Sequence, residues 1–264
     1  MSKYRYLVLR RVTQLSILFL YFAGNIWGLK MLMGNLSTSV FMGKIPLSDP
    51  FAVLQILATG TLVTLDLVIG AGIILLFYGI FGGRAFCSWV CPVNMVTDLA
   101  NWIRRKIGES GDRRIWISRR VRYYMIALTI IISAFVGVTA FEFISPISIF
   151  TRGVIFGFGM GLGLLFSIFL LDLFVIKNGW CGHICPLGAF YSIVGKWSIF
   201  KVKHIQESCT LCMKCKDVCP EKNVLFMIGK ETAPILSGEC TICGRCIEVC
   251  DDEALHFHIR NLRG

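Results

Sequence analysis

The apolar residues of this chain are gathered into long blocks separated by short polar intervals. A hydrocarbon layer about 30 Å thick is crossed by ~20 helical residues, so the blocks are read first as spans. Val12–Leu29 has no charged residue and follows Lys3, Arg5, Arg10 and Arg11. That outline resembles a secretory signal, but the block is long for one and has no clean small-x-small cleavage site, so it reads as an uncleaved anchor. Phe51–Gly83 is interrupted only by Asp66. As one helix it would run roughly 50 Å, too far for one upright span. It therefore splits into a short segment ending near Gly60 and a span from Leu62 to Gly82. The third span is Tyr123–Glu142 and the fourth Val154–Ile176. In the fourth, Gly157, Gly159, Gly161 and Gly163 form two overlapping GxxxG patterns that allow close helix approach.

The polar intervals set the orientation. Lys and Arg number four before the first span, nine in the Arg84–Arg122 loop and eleven from Lys177 onward, against only Lys30, Lys44 and Arg152 elsewhere. A 24-to-3 imbalance with an even number of spans puts both termini in the cytoplasm. The run Arg104-Arg105-Lys106 is then a topology signal and a lipid-headgroup contact. Composition agrees: 55% of residues are hydrophobic and 16% charged, against about 25% charged in soluble domains. The net charge of +11 therefore belongs to a membrane surface and not to nucleic acid. The expected fold is an α-helical integral membrane domain over residues 1–200, four transmembrane helices as two hairpins, followed by a ferredoxin-like α+β domain over 201–264.

Twelve cysteines change the picture. The tail reads Cys209-x2-Cys212-x2-Cys215-x3-Cys219-Pro220, then Cys240-x2-Cys243-x2-Cys246-x3-Cys250-Asp251. This is the bacterial ferredoxin spacing, written twice. Three thiolates at x2 intervals wrap one cubane from a tight loop, and the fourth serves the other cluster. One [4Fe–4S] site is thus expected at Cys209, Cys212, Cys215 and Cys250, the other at Cys240, Cys243, Cys246 and Cys219. The halves also match at Thr210/Thr241, Leu211/Ile242, Lys214/Arg245, Asp217/Glu248 and Val218/Val249. Disulfides do not suit a reducing cytoplasm, zinc prefers more widely separated pairs, and an empty remnant would lack a ligand that none is lacking here. Asp251, where the pattern often has Pro, is the one departure.

A second duplication lies at the membrane edge. Gly83-Arg84-Ala85-Phe86-Cys87-Ser88-Trp89-Val90-Cys91-Pro92 follows the second span, and Gly179-Trp180-Cys181-Gly182-His183-Ile184-Cys185-Pro186 follows the fourth. Cys87, Cys91, Cys181 and Cys185 could offer four thiolates to a further metal or cluster, act as thiol–disulfide pairs, dock a partner, or simply pack. The four histidines, His183, His204, His256 and His258, all lie outside the spans, which argues against haem held between helices. Asp66, Glu142 and Asp172 lie near span ends, where carboxylates are costly, and are candidates for a proton path or for interfacial ion pairs.

Four spans, two Cys-x3-Cys-Pro motifs at their cytoplasmic ends and a double ferredoxin run together resemble the NapH family over nearly the whole chain. The resemblance implies a multi-pass protein of the bacterial inner membrane that oxidises quinol. It would pass electrons, with a periplasmic iron–sulfur partner of the NapG type, toward a periplasmic nitrate reductase. A similar membrane core occurs in larger NosR-type and CcoG-type proteins, whose extra soluble domains are absent from this sequence. The rival readings are a CcoG-like metal-reducing assembly factor and a scaffold with structural clusters. One tension follows: the charge count puts the clusters in the cytoplasm, about 30 Å of hydrocarbon from the implied acceptor. Either a partner bridges that distance or the quinol site lies near the outer face.

The charge imbalance makes a direct prediction. A reporter fused after Gly264 is expected in the cytoplasm and one inserted near Ser48 in the periplasm; a periplasmic C-terminus overturns the orientation.

Overall fold

A computed structural model describes residues 4–107, 118–156 and 161–260. Lys3, part of the basic loop, and Gly157 and Gly159 of the GxxxG patterns lie outside the described residues. The chain forms two compact units: one of Met1–Thr13, Phe77–Val90 and Tyr191–Gly264, the other of Gln14–Leu76 and Cys91–Phe190. The two ends of the chain thus share a unit with a short stretch from its middle.

Helix α1 is Arg5–Ile26. It begins before the expected apolar block and takes in Arg5, Arg10 and Arg11, then ends ahead of Gly28, whose φ of +68° a side chain would strain. Beyond it, β1 (Leu32–Gly34), β2 (Thr38–Phe41) and β3 (Ile45–Ser48) form an antiparallel sheet in sequential order. Leu32 faces Phe41, Phe41 faces Ile45, and Met42 and Gly43 turn the second hairpin in left-handed conformation. Gly24 of α1 lies against this sheet: a Cβ there would sit 2.0 Å from the Leu32 carbonyl oxygen.

The long second block splits as its length requires. Helix α2 (Pro50–Ala58) starts with Asp49 accepting from the Phe51 N–H and Pro50 in the first turn, where a missing N–H costs nothing. Helix α3 follows at Leu65–Phe81. After the short α4 (Ala85–Trp89) comes α5 (Val93–Lys106), whose last turn holds Arg104, Arg105 and Lys106, a placement that suits the helix dipole. Helix α6 (Val121–Val136) stops earlier than expected because Gly137 takes the left-handed capping conformation at φ +73°. Glu142 therefore lies in a separate turn, α7 (Ala140–Ile144), and not at the end of the third apolar helix. Helix α8 is Pro146–Phe156, and α9 (Gly161–Leu170) continues into a π-helical turn at Leu171–Val175. Gly161 packs on α8, where a Cβ would lie 2.3 Å from Ile149.

Among the described residues, α1 is the one helix both long and apolar enough to cross a membrane; α3, α6 and the Gly161–Val175 stretch are apolar but shorter. These helices carry outward apolar side chains, such as Leu76 at 68% and Phe135 at 88% exposure. Water does not favour such surfaces when they are contiguous.

Within the second unit, Gln55 joins three helices. It is fully buried; its Oε1 accepts from the Phe141 N–H at 3.0 Å and the Ser133 hydroxyl at 3.5 Å, while Ser133 Oγ accepts from the Ala140 N–H. Gln55→Ala leaves the Phe141 N–H without this acceptor in a buried place. A loss of about 1–3 kcal/mol is expected, measured by thermal unfolding of the purified protein in detergent; an unchanged transition overturns the role.

Candidate iron–sulfur centre

The first unit ends in a two-stranded antiparallel sheet of β4 (Phe200–His204) and β5 (Leu255–Ile259), with Phe200 opposite Ile259 and His204 opposite Leu255. Between the strands lie both cysteine runs. Each has the same backbone form: left-handed residues at Leu211 and Met213 in the first, Ile242 and Gly244 in the second, each followed by a short helix, α11 (Lys214–Val218) or α12 (Arg245–Glu248). A left-handed β-branched Ile is strained, so something outside the loop must hold it.

The loops place their thiols around two small cavities. Cys209, Cys212 and Cys215 line one together with Cys250; Cys240, Cys243 and Cys246 line the other together with Cys219. The remaining walls are largely aliphatic, and Cys215, Cys219 and Cys246 belong to the same core as Val202, Leu225, Met227, Ile235 and Leu255. The eight cysteines of the two runs are free thiols. Among the described residues no three Cys, His, Asp or Glu side chains close around a point as a single ion requires. Four thiols spread around a cavity suit a larger, multi-iron group. Burial pushes the Cys240 thiol up to about 11, and burial together with neighbouring cysteines raises Cys219, Cys246 and Cys215. Such thiols give up their protons to a soft metal, which is the chemistry of an iron–sulfur site.

The two cavities differ. In one, Cys219, Cys243 and Cys246 are buried and Cys240 half-buried; in the other, Cys215 is buried, Cys209 and Cys250 half-buried and Cys212 exposed. At the exposed one, Thr210 donates to Asp252 through both N–H and hydroxyl. Asp251, the departure from the usual Pro, accepts from Lys214 Nζ at 2.7 Å and so ties the runs together. The buried one is surrounded by groups that the cysteine spacing does not indicate. Arg84, 2% exposed, pairs with Glu221 at 3.2 Å and Glu239 at 3.0 Å, and reaches the Glu239 carbonyl at 3.0 Å. Ser88 and Trp89 of α4 donate to the carbonyls of Thr241 and Ile242. Lys201, also buried, donates to the Gly195 carbonyl, and burial lowers its ammonium to about 8. Glu248 of α12 accepts from the Tyr6 and Leu7 N–H groups, satisfying the first turn of α1. Gly82, Gly83 and Gly244 allow this approach: a Cβ on them would strike Ile242, the Tyr191 carbonyl and the Tyr6 ring. Arg84 was visible in the sequence only as a positive charge after an apolar block.

The remaining candidates are divided between the units. Cys87 is half-buried on α4 in the first unit. In the second, the buried Cys91 accepts from Gln14 Nε2 through its carbonyl, and Cys181 lies in a π-helical turn, Trp180–Ile184, that ends at buried Cys185. Pro92 and Pro186 each open the next helix, α5 and α10 (Pro186–Gly195). The duplicated motifs thus differ locally, one on an α turn and one on a π turn. The three carboxylates have different surroundings. Asp66 is exposed in the first turn of α3. Glu142 accepts from the Ser37 and Ser148 hydroxyls at 2.6 and 2.8 Å. Asp172 is fully buried, accepting from the Trp180 N–H at 3.3 Å, with Arg104 donating to its main-chain oxygen.

Comparison with known proteins agrees with this geometry. A family described as "4Fe-4S binding domain" matches residues 63–109 and again 156–203, and one described as "4Fe-4S dicluster domain" matches 201–251. The chain is 45% identical over 234 residues to the methylamine utilization ferredoxin-type protein MauN of Methylorubrum extorquens, covering 88% of this chain and 81% of that one. It is 43% identical to the ferredoxin-type protein NapH of Haemophilus influenzae and 42% to that of Escherichia coli, each over 84% of this chain and 77% of the relative. The chain belongs to the NapH/MauN family of ferredoxin-type proteins. No solved structure matches it. Membership makes it an iron–sulfur electron-transport protein, and the repeated match around Cys87–Cys91 and Cys181–Cys185 agrees with an internal duplication.

In this NapH/MauN chain the buried Arg84 pairs tie two elements far apart in sequence. Removing one partner of a buried ion pair typically costs about 3–5 kcal/mol. Arg84→Gln is expected to destabilise the unit toward that range, measured by thermal unfolding, and a loss below about 1 kcal/mol, the level of a surface pair, overturns the assignment.

Proposed function

We propose that this chain is the membrane subunit of a quinol dehydrogenase. It takes electrons from quinol and, with a periplasmic iron–sulfur partner of the NapG type, delivers them toward a periplasmic nitrate reductase. The relationship to NapH supports the quinol and nitrate reductase part of this reading, and its electron-carrying part rests on the sorting of eight thiols into two cavities, three from one run and the last from the other. Cys209, Cys212, Cys215 and Cys250 would hold one [4Fe–4S] cluster, and Cys240, Cys243, Cys246 and Cys219 the other. These clusters supply one-electron redox chemistry; the protein supplies the soft donors, the aliphatic walls and the polar clamps around them.

In this reading the chain has four spans in two hairpins, a membrane domain over 1–200 and a ferredoxin-like domain over 201–264, and lies in the bacterial inner membrane with both termini cytoplasmic. The apolar helices α1, α3, α6 and α9 and the basic imbalance support this reading. Short helices are accommodated by local thinning of the bilayer and by polar groups reaching to the interface. Asp66, Glu142 and Asp172 are the candidate proton path. Asp172 is favoured because it is fully buried within a π turn, a feature often found at functional sites. The "4Fe-4S binding domain" match supports reading Cys87, Cys91, Cys181 and Cys185 as ligands of a further metal or cluster. A second reading, electron transfer in methylamine utilisation, is favoured by the 45% identity to MauN.

The crossed arrangement is tested by Cys250→Ser. Loss of the cluster held by Cys209, Cys212 and Cys215 is expected, read by iron content and by EPR of the reduced protein. Damage confined to the site of Cys240, Cys243 and Cys246 refutes the crossing.

A further inference from the structure

The two cavities are built alike but held differently, and the difference lies in the turn that follows α3. Three residues of that turn grip three peptide groups of the second run: Arg84 the Glu239 carbonyl at 3.0 Å, Ser88 the Thr241 carbonyl at 2.7 Å, and Trp89 the Ile242 carbonyl at 3.0 Å. In a trans peptide the N–H points opposite the C=O. Fixing the Thr241 carbonyl therefore fixes the direction of the Ile242 N–H, which donates to the Cys240 sulfur. The same hold keeps Ile242 left-handed despite its β-branch, with its side chain over Gly82. The first run has another arrangement: Thr210 is turned toward Asp252, and Leu211 and Cys212 are exposed.

Adding an electron to a thiolate-bound cluster increases its negative charge. Hydrogen bonds to the cysteine sulfurs favour the reduced form and raise the potential, and more strongly where water is excluded. We propose that Ser88, with Trp89 and Arg84 beside it, is a positioning residue that raises the reduction potential of the site of Cys240, Cys243, Cys246 and Cys219 through the Thr241–Ile242 peptide, leaving the exposed site unaffected. This rests on the crossed ligand reading above. The segment carrying Cys87 thereby governs one of the two redox sites, and the near-identical cysteine runs become electronically distinct. In the step concerned one electron enters the site, with no bond made or broken and no proton transferred.

The test is an EPR-monitored dithionite titration of the full-length protein with its clusters assembled. In a Cys212→Ser background, which removes the exposed cluster, Ser88→Ala is expected to lower the remaining midpoint. The expected change is a few-fold to about tenfold in the reduction equilibrium, the upper end being about 59 mV for one electron. Ser88→Thr should restore it. Trp89→Phe, which keeps the ring and removes the Nε1–H donor, should shift the same signal downward and serves if Ser88→Ala fails to assemble. In a Cys243→Ser background the same changes should leave the exposed site's midpoint unaltered. No shift in either variant, or equal shifts at both sites, overturns the proposal. Retention of both signals in Cys212→Ser is a separate failure: it refutes the ligand reading, and the role of Ser88 falls with it.

Discussion

Everything in the cysteine-rich unit depends on one exchange: each run supplies three thiols to its own cavity and sends its last to the other. Cys250 lies with the Cys209 run and Cys219 with the Cys240 run. Neither run lines a cavity with four thiols alone, so the two runs meet in the fold. The shared core, in which Cys215, Cys219 and Cys246 pack with Val202 and Leu255, makes the same demand on apolar side chains. Burial keeps these thiols protonated until a metal takes the proton's place, so the folding of this unit and its loading with iron are linked.

The exchange brings a constraint on backbone shape. Setting three thiols around a cavity within seven residues is accompanied by left-handed residues at Leu211, Met213, Ile242 and Gly244, only the last of which is glycine. The other three are strained locally and must be held from outside. At Ile242 the holding comes from α4, through Ser88 and Trp89, and from the buried Arg84 with its two carboxylates. At α12, Glu248 caps the start of α1. The beginning of α1, the end of α3 and the second run are thereby parts of one compact unit, although they are far apart in sequence.

One family description fits the two Cys-x3-Cys-Pro motifs and another the tail. The Cys87 motif is not only a pair of thiols. Its Arg84, Ser88 and Trp89 have partners on the cluster loop, whereas the Cys181 motif is folded on a π turn beside the buried Asp172. The two similar segments have different local structures and different partners.

Much was legible in the sequence because it depends on local spacing. The x2 intervals dictate tight loops, and the split of the second block near Gly60 follows from length alone. Helix ends were less legible: α6 ends at Gly137 because that residue caps it, and Glu142 falls into a separate turn, although the apolar pattern runs straight through. The long-range partners were not legible at all. Nothing in the spacing distinguishes Arg84 from its neighbouring basic residues, or Glu142, bound by two serines, from the exposed Asp66 and the buried Asp172. Sequence periodicity and spacing determine which donors and apolar faces exist, because these follow from backbone geometry over a few residues. Only the tertiary structure decides which buried charge meets which carboxylate and which carbonyl is held, because those pairings depend on chain segments that approach each other through packing and not through sequence.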